Sequence, residues 1–175
     1  MATAAATYTK PATDGKIVVG VADMAVTNDP TAFLVTYALG SCIGVTVYDP
    51  VAKIGGLLHF MLPSSKIRKG QDDSNPLMFA DTGVPLLFKS VGNLGAVRNR
   101  LIVCAAGGAE VLTNDGHFKI GSRNRTILRK LFWKNNILLS ADETGGSISR
   151  TLTMNMSDGS ITVRSKGKES VLWPQ

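Results

Sequence analysis

The chain has only two cysteines and two histidines among 175 residues. Cys42 and Cys104 lie too far apart in sequence to suggest a disulfide framework, so both are expected to be free thiols. No close grouping of His, Cys and carboxylates is present, which argues against a metal site. No apolar run approaches the roughly 20 residues needed to cross a bilayer, so membrane insertion is not expected. The opening MATAAATYTKPATDG has neither a basic start nor a leucine-rich core and is a poor export signal. Residues 1–15 are expected to form a disordered tail. There is no G-x-G-x-x-G or Walker-type glycine loop, so nucleotide binding has no support. No internal repeat is evident. A cytoplasmic protein without a cofactor is the resulting expectation.

What is present fits one globular domain. Hydrophobic residues make up 44% and charged residues 18% of the chain, and 175 residues are enough to bury a full core. The expected boundaries are a single domain over 16–166 and a short C-terminal tail over 167–175. The net charge is +6. Lys119, Arg123, Arg125, Arg129, Lys130 and Lys134 concentrate much of it in one stretch. Such a stretch is usually a solvated helix face, but it also suits nucleic acid, an acidic membrane surface or an acidic protein. The lack of aromatic residues interleaved with the cations argues against nucleic acid.

Residues 16–22, 32–38, 42–48, 54–62, 100–106 and 137–142 read as strands, rich in β-branched and aromatic residues. ISRTLTMNM and SITVRSK, joined by SDG, read as a C-terminal hairpin. A helix is expected from Ala80, with Val84, Leu87, Phe88, Val91 and Leu94 at helical spacing and Asp81 or Thr82 as its cap. Pro85 suits only its first turn. Residues 121–136 suggest a second helix, with Ile127, Leu128, Leu131 and Phe132 on its apolar face. The class is α+β, with largely antiparallel or mixed sheets and two main helices.

Within this frame YALGSCIGVTVYDP (37–50) sets a cysteine directly after Gly-Ser, at the mouth of an apolar strand. GGLLHFMLP follows with the first histidine, His59. If 42–48 and 54–62 pair through a four-residue loop 49–52, Tyr48 opposes Lys53 and Cys42 opposes His59, with Cβ atoms about 4.5–5.5 Å apart. A loop one residue shorter or longer would send the two side chains to opposite faces. An imidazole beside a thiol can activate it as a nucleophile and later protonate a leaving amine. Gly40 and Ser41 form a tight approach whose backbone N–H groups, at Ser41 or Cys42, can point at an oxyanion, worth about 3 kcal/mol each. Thr36, on the preceding strand, is placed to hold the second imidazole nitrogen. The plain alternatives are a cysteine that is a small buried hydrophobe and a histidine satisfied in the core. Cys104, in LIVCAA, reads as that structural kind, and His117, in NDGHFK, as exposed. Met61, Met78, Met154 and Met156 read as core or rim filler.

T-x-x-x-GSC (36–42), YDP, the glycine pair and HFMLP, followed by FADT (79–82), AGGA (106–109), IGSRN (120–124) and ETGG (143–146), resemble the chemoreceptor glutamine deamidases, the CheD family. The resemblance runs from about residue 17 to 166. It implies Cys42 as nucleophile, His59 as general acid/base and Thr36 as the orienting member. It implies a layered αββα sandwich that hydrolyses selected glutamine amides to glutamate on the cytoplasmic domains of chemotaxis receptors. Members often also bind a CheC-type phosphatase. Asp81, Gly107, Gly108, Arg123, Asn124, Thr144, Gly145 and Gly146 become candidate rim or scaffold positions. Two departures stand out: Tyr37-Ala38 replaces a smaller, glycine-containing pair, and ADETGG reverses the acidic pair of AEDTGG. An adaptor for receptor or phosphatase, and hydrolysis of receptor methyl esters, are the alternative activities.

Overall fold

A computed structural model describes residues 15–68, 75–110 and 119–174. Residues 1–14 of the expected tail at 1–15, and His117, fall outside them. Among the described residues, ten strands form two five-stranded sheets. The outer sheet runs, in spatial order, β1 (Lys16–Val18), β3 (Phe33–Leu39), β8 (Arg150–Asn155), β9 (Ile161–Ser165) and β10 (Lys168–Trp173). The central sheet runs β2 (Asp23–Thr27), β5 (Ile54–Phe60), β4 (Ile43–Asp49), β6 (Ile102–Gly107) and β7 (Ala141–Thr144). Only β1 with β3 and β6 with β7 pair in parallel; the other pairings are antiparallel.

The central strands read as unbroken apolar runs because both of their faces are covered. On β4, Ile43, Val45 and Val47 join the core beneath the helices, while Tyr48 faces the outer sheet. Two helices, α1 (Ala80–Asn93) and α2 (Ile120–Lys134), place Val84, Leu87, Val91, Leu128 and Phe132 in that same helix-side core. The α+β sandwich expected from the sequence is therefore observed, in the order helices, central sheet, outer sheet. Among the described residues no helix covers the far face, so the second outer layer of an αββα arrangement is not formed there. The glycine pair of β5 follows from this double burial. A Cβ on Gly55 would lie 2.4 Å from Met156 Sδ, and one on Gly56 2.8 Å from Leu87 Cδ1.

Four local expectations change. Asp23–Thr27, not foreseen, form edge strand β2 beside β5. Residues 168–173, read as tail, form β10 against β9. Helix α1 is entered from extended Phe79 with no side-chain cap; the Leu62–Phe79 bridge, with Ala80 N–H donating to Leu62 O at 2.9 Å, anchors it instead. Pro85 then lies beyond the first turn, inside the helix.

The β4–β5 hairpin is the fourth change. Asp49 opposes Ile54 and Gly44 opposes His59, so the loop is 50–53, one residue later than expected. Asp49 sets this turn. Its carboxylate, fully buried, accepts Val51 N–H at 2.9 Å, Ala52 N–H at 3.1 Å and Val97 N–H at 2.8 Å, and pairs with Arg100 at 2.7 Å. Burial alone would raise its pKa; the Arg100 guanidinium and the three N–H donors outweigh it and hold the carboxyl well below its ordinary value. The shift moves the partner of His59 by two residues, from Cys42 to Gly44. Because side chains alternate with period two, the face is preserved.

Candidate active site

His59 is 1% exposed and directed between the two sheets. Its Nδ1 lies 2.7 Å from Thr36 Oγ1, on the outer sheet. The same hydroxyl donates to Val19 O at 2.7 Å. A hydroxyl has one proton, so Thr36 must accept from the imidazole. That fixes the tautomer with hydrogen on Nδ1 and leaves Nε2 as a bare acceptor. Nε2 is buried and, among the described residues, makes no hydrogen bond, to Cys42 or to any other group. Burial pushes the His59 pKa down to about 4, against the opposing charge of Asp23, which pairs with His59 across β2–β5. The imidazole is neutral at physiological pH.

Thr36 reaches this position through a bulge. Thr36 pairs with Leu152 and Leu39 with Arg150, so β3 carries one extra residue there. Thr36 and Leu39 are both buried while Tyr37 and Ala38 turn outward. Ala38 takes a left-handed φ of 56°, at the position where the family resemblance places glycine.

Cys42 sits just before β4, half-buried and packed against the inter-sheet core. It shares the face of Gly44 and is thus a diagonal neighbour of His59. Burial raises its pKa, with its own backbone N–H opposing. The resting pair is a neutral thiol and a neutral imidazole. Gly44 lets the outer sheet approach β4 closely here: a Cβ there would lie 3.0 Å from Leu39 and Leu152 and 3.3 Å from the Thr36 methyl.

The loop before Cys42 is held by its carbonyls. Gly40 O accepts Ala109 N–H at 2.8 Å, Cys42 O accepts Gly108 N–H at 2.8 Å, and Ser41 O accepts the Asn124 amide at 2.9 Å. Each peptide unit is planar and trans. Turning the Gly40 and Ser41 carbonyls toward 108–109 and α2 therefore turns the Ser41 and Cys42 N–H groups the opposite way. Asn124 is fully buried, and its amide also donates to Met61 O at 2.9 Å. One side chain thus ties the cysteine loop to the segment that follows His59. Gly107 has φ 105°, and a Cβ on it would lie 2.3 Å from Cys42 O. Close approach of that turn requires glycine.

The profile described as "CheD chemotactic sensory transduction" matches residues 61–165. A "Probable chemoreceptor glutamine deamidase CheD" of Solibacter usitatus is 48% identical over 159 residues, 91% of this chain and 94% of its own length. One from Syntrophus aciditrophicus, "CheD 1", is 46% identical over 87% of this chain and 96% of its own. An archaeal one from Thermococcus kodakarensis is 38% identical over 87% and 96%. The chain belongs to the CheD family.

The CheD blocks recognised in the sequence are neighbours in space. FADT contributes Asp81, whose carboxylate accepts Ser65 N–H at 2.8 Å and Ser64 Oγ–H at 2.7 Å, fixing the chain after HFMLP. AGGA holds the cysteine loop. ETGG continues from it: Gly145 N–H donates to Gly107 O, and Glu110 N–H to Gly146 O, both at 2.8 Å. Thr144 donates its hydroxyl to Asp142 at 2.6 Å and so belongs to the turn. Asn124, from IGSRN, is the clamp described above, whereas Arg123 is exposed on the outer face of α2.

Sequence reasoning missed Gly44, Gly121 and Arg125. A Cβ on Gly121 would lie 2.4 Å from Ala109 O, so glycine lets α2 start against AGGA. The Arg125 side chain packs over Gly108 and Gly145. Cys104 is fully buried and its thiol is pushed up to about 11 by burial, as a structural cysteine should be. Among the described residues, no group of three or more His, Cys, Asp or Glu is placed to hold a metal ion, and no helix is long and apolar enough to cross a membrane.

Proposed function

We propose that this chain is a protein-glutamine deamidase that converts selected glutamine side chains of chemoreceptors to glutamate and releases ammonia. Cys42 is the nucleophile, His59 the general base and acid, and Thr36 the residue that orients His59. The observation that carries this reading is the hydrogen bond between Thr36 and His59 Nδ1, at 2.7 Å, which aims an unpartnered Nε2 into the inter-sheet space. Family membership supports the substrate class, since the relatives carry the name chemoreceptor glutamine deamidase.

The chemistry starts from a neutral pair. Rotation of the single side-chain torsion of Cys42 brings its thiol toward Nε2, which takes the proton as sulfur attacks the glutamine Cδ. The oxyanion is met by the N–H groups of Ser41 and Cys42, whose carbonyls are already engaged. The imidazolium protonates the departing ammonia and leaves a thioester. His59 then deprotonates water, which cleaves the thioester to glutamate and returns the thiol. An ester carbonyl fits the same steps, so receptor methyl esters are a second substrate of this site. The family resemblance extends the reading to a cytoplasmic location and to a CheC-type phosphatase as a second partner.

Mass spectrometry of a receptor cytoplasmic fragment incubated with the protein tests this. Deamidation adds about 1 Da per glutamine, with one ammonia released per conversion and ping-pong order. An adaptor would instead leave the fragment mass unchanged, and its effect on the partner would survive Cys42→Ala.

A further inference from the structure

The cations of the basic stretch have different fates along α2 and its N-cap. Arg125 packs inward over Gly108 and Gly145. Arg129 is paired with Asp142 at 3.0 Å. Lys119 and Lys130 line one groove of about 590 Å³, together with Ser122, Arg123, Thr126, Ile127 and Pro63. At 1.5 Å per residue, the stripe from Lys119 to Lys130 is about 16 Å long. Asn124 fixes its place, because its amide joins α2 to Ser41 O and Met61 O, on either side of the catalytic pair. Glu110 accepts Ser122 N–H at 2.9 Å. The groove therefore lies along the helix that Asn124 ties to the nucleophile loop.

Each deamidation consumes one neutral amide and one water and yields one carboxylate and one ammonium. A segment with several target glutamines thus gains a negative charge at every turnover. Resting on the deamidase reading above, we infer that the groove between Lys119 and Lys130 binds carboxylates flanking the target glutamine, including those made by earlier turnovers, so that one deamidation favours the next on the same segment. The groove is one helix face wide, holds Ile127 for an apolar neighbour and has no aromatic platform for bases. Those features suit an acidic protein segment better than a lipid surface or a nucleic acid.

The test compares a receptor fragment with all target glutamines intact and one with a single target already glutamate. For the unaltered protein the second fragment shows the lower KM at low salt, and the advantage shrinks as salt rises. Lys119→Glu with Lys130→Glu raises KM by about tenfold and removes the advantage while kcat holds. Lys168→Glu, on exposed β10, changes neither. Retention of kcat shows that the double variant folds. Equal KM values for the two fragments, or a double variant with unaltered KM and salt dependence, overturn the inference alone. So does binding of anionic phosphatidylglycerol vesicles or a short RNA that the double variant loses while its receptor KM stays unchanged. No mass gain on either fragment with the unaltered protein overturns the deamidase reading and this inference with it.

Discussion

Thr36 and His59 belong to different sheets, yet the Thr36 hydroxyl sits 2.7 Å from the imidazole Nδ1. The sandwich is thereby joined by a polar contact at the point where the chemistry is proposed. Thr36→Val keeps the shape and removes the acceptor. It leaves a buried Nδ1–H unpaired and frees the other tautomer, so kcat should fall by about a hundredfold with KM little changed. Thr36→Ser should restore most of the rate. Steady-state kinetics of both variants check this; a Thr36→Val enzyme with normal kcat would refute the orienting role.

Cys42 should react slowly as a free thiol. Burial raises its pKa and lowers that of His59 to about 4, so a thiolate–imidazolium pair is not the resting state. Alkylation by iodoacetamide at pH 7 should be slower than that of a small free thiol, and should quicken above pH 9. The acid limb of kcat/KM should lie near 4 rather than near the ordinary histidine value of about 6.5. Rapid alkylation that persists to pH 5 would reveal a preformed ion pair.

The same histidine makes stability depend on pH. Its folded pKa of about 4 is below the unfolded value of about 6.5. Between those values the unfolded chain binds more protons, so stability falls as pH falls across that window. Asp49, whose folded pKa is also depressed, withdraws its own contribution further into acid, below about 3.9. Urea midpoints measured from pH 7 to pH 4 should decline for the parent protein and less for His59→Gln. A flat parent profile would contradict the burial assigned to His59.

Ala38 is strained at φ 56°. Relief of a left-handed alanine is worth about 1–2 kcal/mol, against about 0.5–1 kcal/mol for the greater freedom of unfolded glycine. Ala38→Gly should therefore stabilise the protein, by up to about 1.5 kcal/mol, in urea unfolding. A loss of stability would show that the alanine methyl makes a contact that outweighs the strain.

Asn124→Leu removes the shared donor to Ser41 O and Met61 O. Two carbonyls lose a partner at a buried position, which should cost about 1–3 kcal/mol each. Because the Ser41–Cys42 peptide is oriented through this bond, kcat should drop more than stability alone explains. Denaturant unfolding and kinetics on the same sample separate the two effects.

Much of this arrangement was legible in the residues. Unbroken apolar runs flanked by turn residues marked β4, β5 and β6, and the faces of α1 and α2 followed from helical spacing. The shared face of Cys42 and His59 survived a two-residue error in register because strand faces repeat every two residues. The error arose because the Asp49 carboxylate organises the turn together with Arg100 and Val97, which are remote in sequence. Strand β2 was missed because DMAVT is short and gains its partner only when β5 lies beside it. Strand β10 was missed for a similar reason, since KESVLW is exposed for most of its length. The bulge at Tyr37-Ala38 and the clamp by Asn124 depend on contacts between sheets and layers, which no local pattern encodes.

Acid quenching during the first turnover with a receptor fragment, followed by mass analysis of the peptide that contains Cys42, is the most direct measurement. The expected result is a fragment-derived acyl group on Cys42, released by hydroxylamine and absent in Cys42→Ala, which forms no glutamate. Full glutamate formation by Cys42→Ala, with no adduct in the parent enzyme, would contradict thiol catalysis at this site.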